Sequence, residues 1–234
     1  MPSVIEMGVM RVSVSRQPPT TDNQSFCRRV SACLSATGGG VAHHGVPETR
    51  GLRHAAVLVP VIARGDGHHL LLTRRSERLN QHAGQISFPG GCLDPTDPSL
   101  EEAAIREAQE ETGLTPNQVS ILGALTPHAT PSGFLIHPFV GFVADCGELV
   151  RQPEEVAEIF EVPLAFLLDQ RNHQPHDVEH EGRRYRLTAM PYGSYFIWGA
   201  TAAIIRDLHG RLREASPELV RGGQDGQGAD PVDA

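Results

Sequence analysis

Glu107, Glu110 and Glu111 stand at i, i+3 and i+4 in the segment GGCLDPTDPSLEEAAIREAQEETGL (90–114). On a helix that spacing places three carboxylates on one face. The helix is signalled at both ends. Asp97 followed by Pro98, or Ser99 with Glu102 three residues on, can start it, and Gly113 can stop it. The cluster works against its own helix, because like charges at these spacings repel by about 0.2–0.5 kcal/mol per pair. Each negative charge in the last turn also opposes the helix dipole by about 0.3–1 kcal/mol. Arg106 can neutralise only part of the set. A hard divalent cation, which prefers carboxylate oxygens, would offset the remainder. Just ahead lies FPGG (88–91), a tight glycine-rich loop that lets backbone approach a ligand or metal closely. A glutamate-rich helix alone is usually a solvated face; the loop and helix together point to metal chemistry.

The surrounding sequence supplies elements to hold that face. HAAVLVPVIA (54–63) is a β-branched run suited to a buried strand, Gly65-Asp66-Gly67 a turn, and HHLLLTR (68–74) the return strand. VSILGALT (119–126) and FLIHPFVGFVA (134–144) read as further strands. FIWGATAAIIRDL (196–208) carries Ala200, Ala203, Ile204 and Leu208 at helical spacing, and Trp198 reads as a core residue ahead of its alternative, an adenine-stacking platform. Phe26, Val30 and Leu34 mark a short amphipathic helix, followed by a linker through Gly38–Gly40 and HHGVPETRG (43–51). The expected organisation is a flexible tail over 1–22, helix and linker over 23–52, one folded domain over 53–214 and a second tail over 215–234. Strands mixed with helices predict an α/β class, a sheet covered by helices.

Bulk properties narrow the function. A formal net charge of -8 argues against general nucleic-acid binding, which needs a basic face. The apolar run Ala55–Ala63 is too short to span a bilayer. The start lacks a basic segment followed by an apolar stretch, so the expected location is cytoplasmic. Cys27, Cys33, Cys92 and Cys146 show no paired spacing and read as reduced thiols. His173, His176 and His180 lie in the polar, loop-like QRNHQPHDVEHEGRR (170–184), with no second ligand cluster to frame a zinc ion.

The segment 90–114 resembles a Nudix box, the loop–helix–loop with which that family binds divalent metal and cleaves X-linked nucleoside diphosphates. Arg106 to Leu114 match its REUxEExGU half in full, U being aliphatic. The front half departs from it: Asp97 stands where a Glu is expected, and one extra residue separates it from Arg106. Upstream, LLTRRSERLNQHAGQISFPGG (71–91) is similar to the signature of the coenzyme A pyrophosphatase branch, roughly LLTxRSxxLRxHxGQxxFPGG, with Asn80 in place of an Arg. SGFLIHPFVG (132–141), EEVAEIFEVPL (154–164) and FIWGATAAII (196–205) also resemble that branch.

The resemblance implies the Nudix α/β/α sandwich, a mixed β-sheet between helices, and metal-assisted hydrolysis of a diphosphate. Glu107 and Glu111 become first choices as ligands of Mg²⁺ or Mn²⁺. Glu110 would hold a second ion or a water on the metal, and a carbonyl of the Gly90-Gly91 turn would complete the shell. Arg106 and Glu110 enter the catalytic set, as does Glu155, either as a further ligand or as general base; as a bare residue, Glu155 reads equally as a helix-start carboxylate after Pro153. Arg74, Arg75, His82 and Gln85 become candidate substrate contacts, with His82 evenly placed as a packing residue and His128 a weaker case. The implied partner is a small molecule, coenzyme A or a derivative, with neither nucleic acid nor membrane; a homodimer stays open. Two other readings remain: a Nudix hydrolase of ADP-ribose or another nucleoside diphosphate derivative, and a non-catalytic nucleotide-binding module.

Overall fold

The computed structural model describes residues 21–35, 42–43, 51–79, 81–180 and 182–221. In chain order the elements are α1 (Thr21–Ser35), β1 (Ala42–His43), β2 (Arg53–Arg64), β3 (Gly67–Arg75), β4 (Ile86–Ser87), β5 (Gly90–Cys92) and α2 (Leu100–Thr112). They continue with β6 (Ser120–Ala124), β7 (His128–Ala129), β8 (Phe134–Val143), β9 (Val156–Pro163) and α3 (Leu164–Leu168). The last are β10 (Gln174–His180), β11 (Arg183–Tyr192), β12 (Tyr195–Trp198), α4 (Gly199–Ala215) and α5 (Pro217–Arg221).

Among the described residues, nine strands form one mixed sheet in the order β1-β7-β8-β2-β3-β4, with β5 also on β2, β6 on β8 and β9 on β3. Its centre is the parallel pair β2–β8, in register from Arg53↔Phe134 to Ile62↔Val143. Alternate side chains leave on opposite faces. Val59, Val61, Leu70 and Leu72 share one cluster with Phe26 and Val30 of α1 and Ile204 and Leu208 of α4. Ala56, Leu58, Ile62 and Leu71 form a second with Ala103, Ala104 and Ala108 of α2. A strand covered on both faces has no solvent side to keep polar, which is why HAAVLVPVIA shows no alternation. The three alanines let α2 lie close to the sheet. The result is the expected α/β architecture, a mixed sheet between helices.

Several expected boundaries shift. Residues 196–198 are strand rather than helix: Phe196 and Trp198 pair with Pro191 and Ala189 of β11. Gly199, at φ 65°, then turns the chain into α4. The polar stretch 170–184 is not a loop, since β10 pairs with β11 over seven residue pairs and β12 completes a three-stranded antiparallel sheet. β11 alternates exposed Arg184 and Arg186 with half-buried Tyr185 and Leu187, but its partner β10 is almost wholly polar, so the pair gives no shared apolar pattern. Within it His176 packs edge-on against Phe196 and Trp198, and His173 Nε2 lies 2.8 Å from the Leu167 carbonyl.

The helix expected near residue 26 exists and is integral to the core, with Val30 and Cys33 almost wholly buried. Gly38–Gly40 lie outside the described residues, as do residues 1–20 and 222–234. The chain stays ordered in α5 beyond residue 214. Within α5, Leu219 and Val220 pack against the core, and Arg29 Nη1 meets Glu218 Oε1 at 3.2 Å. Ending the chain at 214 rather than 221 is therefore expected to lower stability by about 1–2 kcal/mol, mostly from lost apolar burial. Paired urea titrations of the two lengths would measure this, and identical midpoints would refute it.

Candidate active site

Helix α2 is built at both ends for its task. Ser99 Oγ accepts from the Glu102 N–H at 3.1 Å, so the second of the two possible starts is the one used. Gly113 takes a left-handed conformation (φ 75°) that returns its N–H to the Gln109 carbonyl. Asp97, freed from capping, accepts from Arg106 Nε at 2.8 Å and Nη2 at 3.0 Å, and from the Asp94 N–H at 2.8 Å. The Arg106 hydrogen bonds hold the Asp97 carboxyl below the usual carboxylate range. The same guanidinium reaches Glu107 at 2.9 Å and Glu110 at 3.1 Å. One arginine therefore ties the loop before the helix to two of its glutamates.

The three glutamates differ in environment. Glu110 is exposed, with 60% of its side chain accessible, whereas the Glu111 side chain is 3% accessible. Glu111 Oε2 accepts from the Gly90 N–H at 3.2 Å, and Arg75 Nη1 stands 4.0 Å from Oε1. Those partners do not compensate the burial, which pushes the carboxyl up to about 8. Burial also raises Glu107, against the pull of Arg106. The Glu107 carboxylate lies directly over Gly91, where a Cβ would sit 2.5 Å from its Cδ. Glu155 comes from the turn after Pro153, and no helix starts there. Its carbonyl accepts from Ser76 N–H at 2.8 Å, and Gln152 N–H bonds the Glu111 carbonyl at 3.1 Å. The Glu155 turn is thus pinned to the end of β3 and the end of α2, and its charge acts on both Glu107 and Glu111.

A cleft of about 500 Å³ brings these groups together. Glu107, Glu110, Glu111 and Glu155 line it with Gly91, and so do Arg75, His82 and Gln85. His82 is the one non-glycine among the described residues at positive φ (57°), and its Nδ1 meets Gln85 Oε1 at 2.9 Å. It is exposed in the cleft rather than packed. Arg74 and Arg106 are not among the lining residues: Arg74 faces Glu158 at 3.0 Å, and Arg106 is occupied as described. Asn80 lies outside the described residues. His128 is buried. Trp198 and Phe134 do line the cleft, so the expected core position of Trp198 is corrected. The signal was the alternation in YFIW, where Ile197 is buried and its two neighbours are not.

The donor set suits a hard cation, being four carboxylates on one cleft, one of them buried without full counter-charge. Among the described residues no three His, Cys, Asp or Glu side chains converge tightly enough to enclose an ion, since Glu107 and Glu110 turn toward Arg106. Arg75 Nε is buried with no hydrogen-bond partner among the described residues.

Residues 52–182, more than half of the chain, match the NUDIX domain family model. The uncharacterized Nudix hydrolase NudL of Citrobacter koseri is 44% identical over 161 residues, 69% of this chain and 83% of that one. Its Yersinia enterocolitica namesake is 47% identical over 155 residues, 66% and 79% of the two chains. The solved MutT/nudix family protein from Enterococcus faecalis is 19% identical, covering 77% of this chain and 70% of its own, with a TM-score of 0.48. Among the described residues, no helix is long and apolar enough to cross a membrane. The chain belongs to the Nudix hydrolase family, enzymes that act on pyrophosphate bonds and generally use divalent metal ions.

Proposed function

We propose that this protein hydrolyses the diphosphate of coenzyme A or a close derivative, with Mg²⁺ or Mn²⁺, to 4′-phosphopantetheine and adenosine 3′,5′-bisphosphate. One observation carries the reading. Arg75, His82 and Gln85, from the segment resembling the coenzyme A branch, line the same cleft as Glu107, Glu110, Glu111 and Glu155.

A divalent ion held by Glu107 and Glu111, with the Gly91 region beside them, would neutralise diphosphate charge and make a bound water more acidic. The chain's own groups do the rest. Arg75, whose Nε lacks a partner among the described residues, donates to a phosphate oxygen and orients the diphosphate. His82 and Gln85 contact the substrate from the facing loop. Glu155 or the exposed Glu110 takes the proton of the attacking water. Water adds to one phosphorus, the bridging P–O bond breaks, and the other phosphate leaves with the bridging oxygen. Arg106 acts at one remove, keeping Glu107 and Glu110 on the cleft side of the helix.

The expected preference is for coenzyme A over ADP-ribose and simple dinucleotides by about tenfold or more in kcat/KM. A site that grips the 3′-phosphate gains a charge-assisted hydrogen bond worth roughly 1.5–3 kcal/mol, enough for that ratio. On the same ground 3′-dephospho-coenzyme A is the poorer substrate. Product identification by mass across this panel is the test. Equal turnover of coenzyme A and ADP-ribose removes the coenzyme A assignment and leaves a nucleoside diphosphate hydrolase of another preference.

A further inference from the structure

The cleft lining is of two chemical kinds. One is charged, the glutamates and Arg75, where a diphosphate belongs. The other is apolar and includes Ile136, Phe134, Ala200, Ile204 and Trp198. Trp198 is distinct among these because it is large, flat, partly exposed and held still. Its backbone is paired with Ala189 in the three-stranded sheet. Its ring is braced edge-on by His176, centroids 5.6 Å apart at 76°, and His176 is braced in turn by Phe196 at 5.0 Å and 77°. Of the other aromatics of the cleft, Phe134 already has Arg53 over its ring at 4.3 Å and Phe88 is buried. A side chain fixed in this way loses little freedom when a ligand settles on it. A rigid indole face rewards a flat heteroaromatic ring far more than a flexible amide chain, because every nucleobase offers a π-face of matching shape.

We infer that Trp198 is the platform on which the nucleobase of the substrate stacks, making it a specificity-determining residue. The base then lies on the apolar side while the diphosphate reaches across to Arg75 and the glutamates; the inference rests on the reading of the cleft as a nucleoside diphosphate site. The three-stranded sheet gains a purpose, since it delivers and braces this one ring.

Trp198 is the single tryptophan of the chain, so its fluorescence reports on the platform without any substitution. The full-length protein is titrated with adenosine 3′,5′-bisphosphate, with 4′-phosphopantetheine and with ribose 5-phosphate, none of which holds a diphosphate to be cleaved. Saturable quenching by the adenine compound alone is the expected result. In Trp198→Ala, KM for the best diphosphate substrate is expected to rise about tenfold, with kcat falling less than threefold, while Trp198→Phe keeps KM within about threefold. Quenching by the pantetheine fragment instead, or an unchanged KM in Trp198→Ala with the fold intact, overturns the inference. Should Trp198→Ala fail to fold, the titrations and the Phe variant decide it. The coenzyme A reading fails separately: quenching by the adenine compound, together with faster cleavage of ADP-ribose than of coenzyme A, upholds the platform and removes that substrate.

Discussion

Glu107→Gln and Glu111→Gln are each expected to lower kcat/KM by about a hundredfold or more, the loss typical of removing a group that stabilises transition-state charge. Glutamine keeps the size of the side chain and an oxygen that can still accept from the Gly90 N–H, so the fold should survive both changes. For Glu111 the consequence for stability is opposite in sign. Its carboxyl titrates near 8 in the folded chain against an ordinary 4.5, so the unfolded chain releases this proton first. The stability linked to this group is therefore complete below pH 4.5 and declines as pH rises toward 8, by roughly 3 kcal/mol at pH 7. With divalent metal chelated, Glu111→Gln should be more stable than the unchanged chain at pH 8 and lose that advantage near pH 4.5. Steady-state kinetics with metal and urea unfolding without it read the two effects separately. Near-normal kcat in either variant would remove that residue from the metal shell.

The adjacent glycines should fail in different ways when replaced by alanine. At Gly90 a Cβ would lie 2.3 Å from the Ala56 carbonyl oxygen and 2.7 Å from Val57 Cα, both backbone atoms of the central strand. Neither can retreat without breaking the β2–β5 ladder. Gly90→Ala is expected to cost about 3 kcal/mol or more, which for a chain of this size is roughly 10 °C in Tm. At Gly91 the obstacle is the Glu107 carboxyl group, 2.5–2.6 Å away, at the far end of a side chain that can swing aside. Gly91→Ala should therefore fold and melt almost normally yet lose about tenfold or more in kcat, because Glu107 is displaced from its seat. Thermal melts beside kinetics distinguish these outcomes. A Gly90→Ala protein that melts normally would mean that the loop does not lie against β2.

Much of this was legible in the chain. The spacing of Glu107, Glu110 and Glu111, the Gly113 stop and the apolar run of β2 are local patterns with one dominant physical reading. The role of Asp97 was not, because a residue before a helix reads first as a cap; only the fold shows Ser99 taking that place and Asp97 turning to Arg106. Arg74 and Arg75 are neighbours on a strand, so they point to opposite faces, and sequence alone could not say which one faced the cleft. The hairpin of β10 and β11 stayed hidden because only β11 carries an apolar period, at Tyr185, Leu187 and Ala189, while β10 is almost wholly polar. That concealed Trp198 as well, whose place depends on the sheet that presents it.

The parallel pairing of β2 with β8 has a consequence during synthesis. Ala55 pairs with Ile136, so one long edge of a strand almost without polar residues has no partner until the chain has grown about eighty residues further. Its hairpin with β3 can close at once, but the other edge must wait. At ribosomal rates of about 5–20 residues per second, that interval lasts roughly 4–16 s. An apolar strand edge left open so long is a template for joining other nascent chains. A pairing of such long sequence separation also makes loop closure a slow step of folding. This enzyme should depend on chaperone shielding between the emergence of β2 and that of β8, and its yield should fall with the temperature and speed of expression.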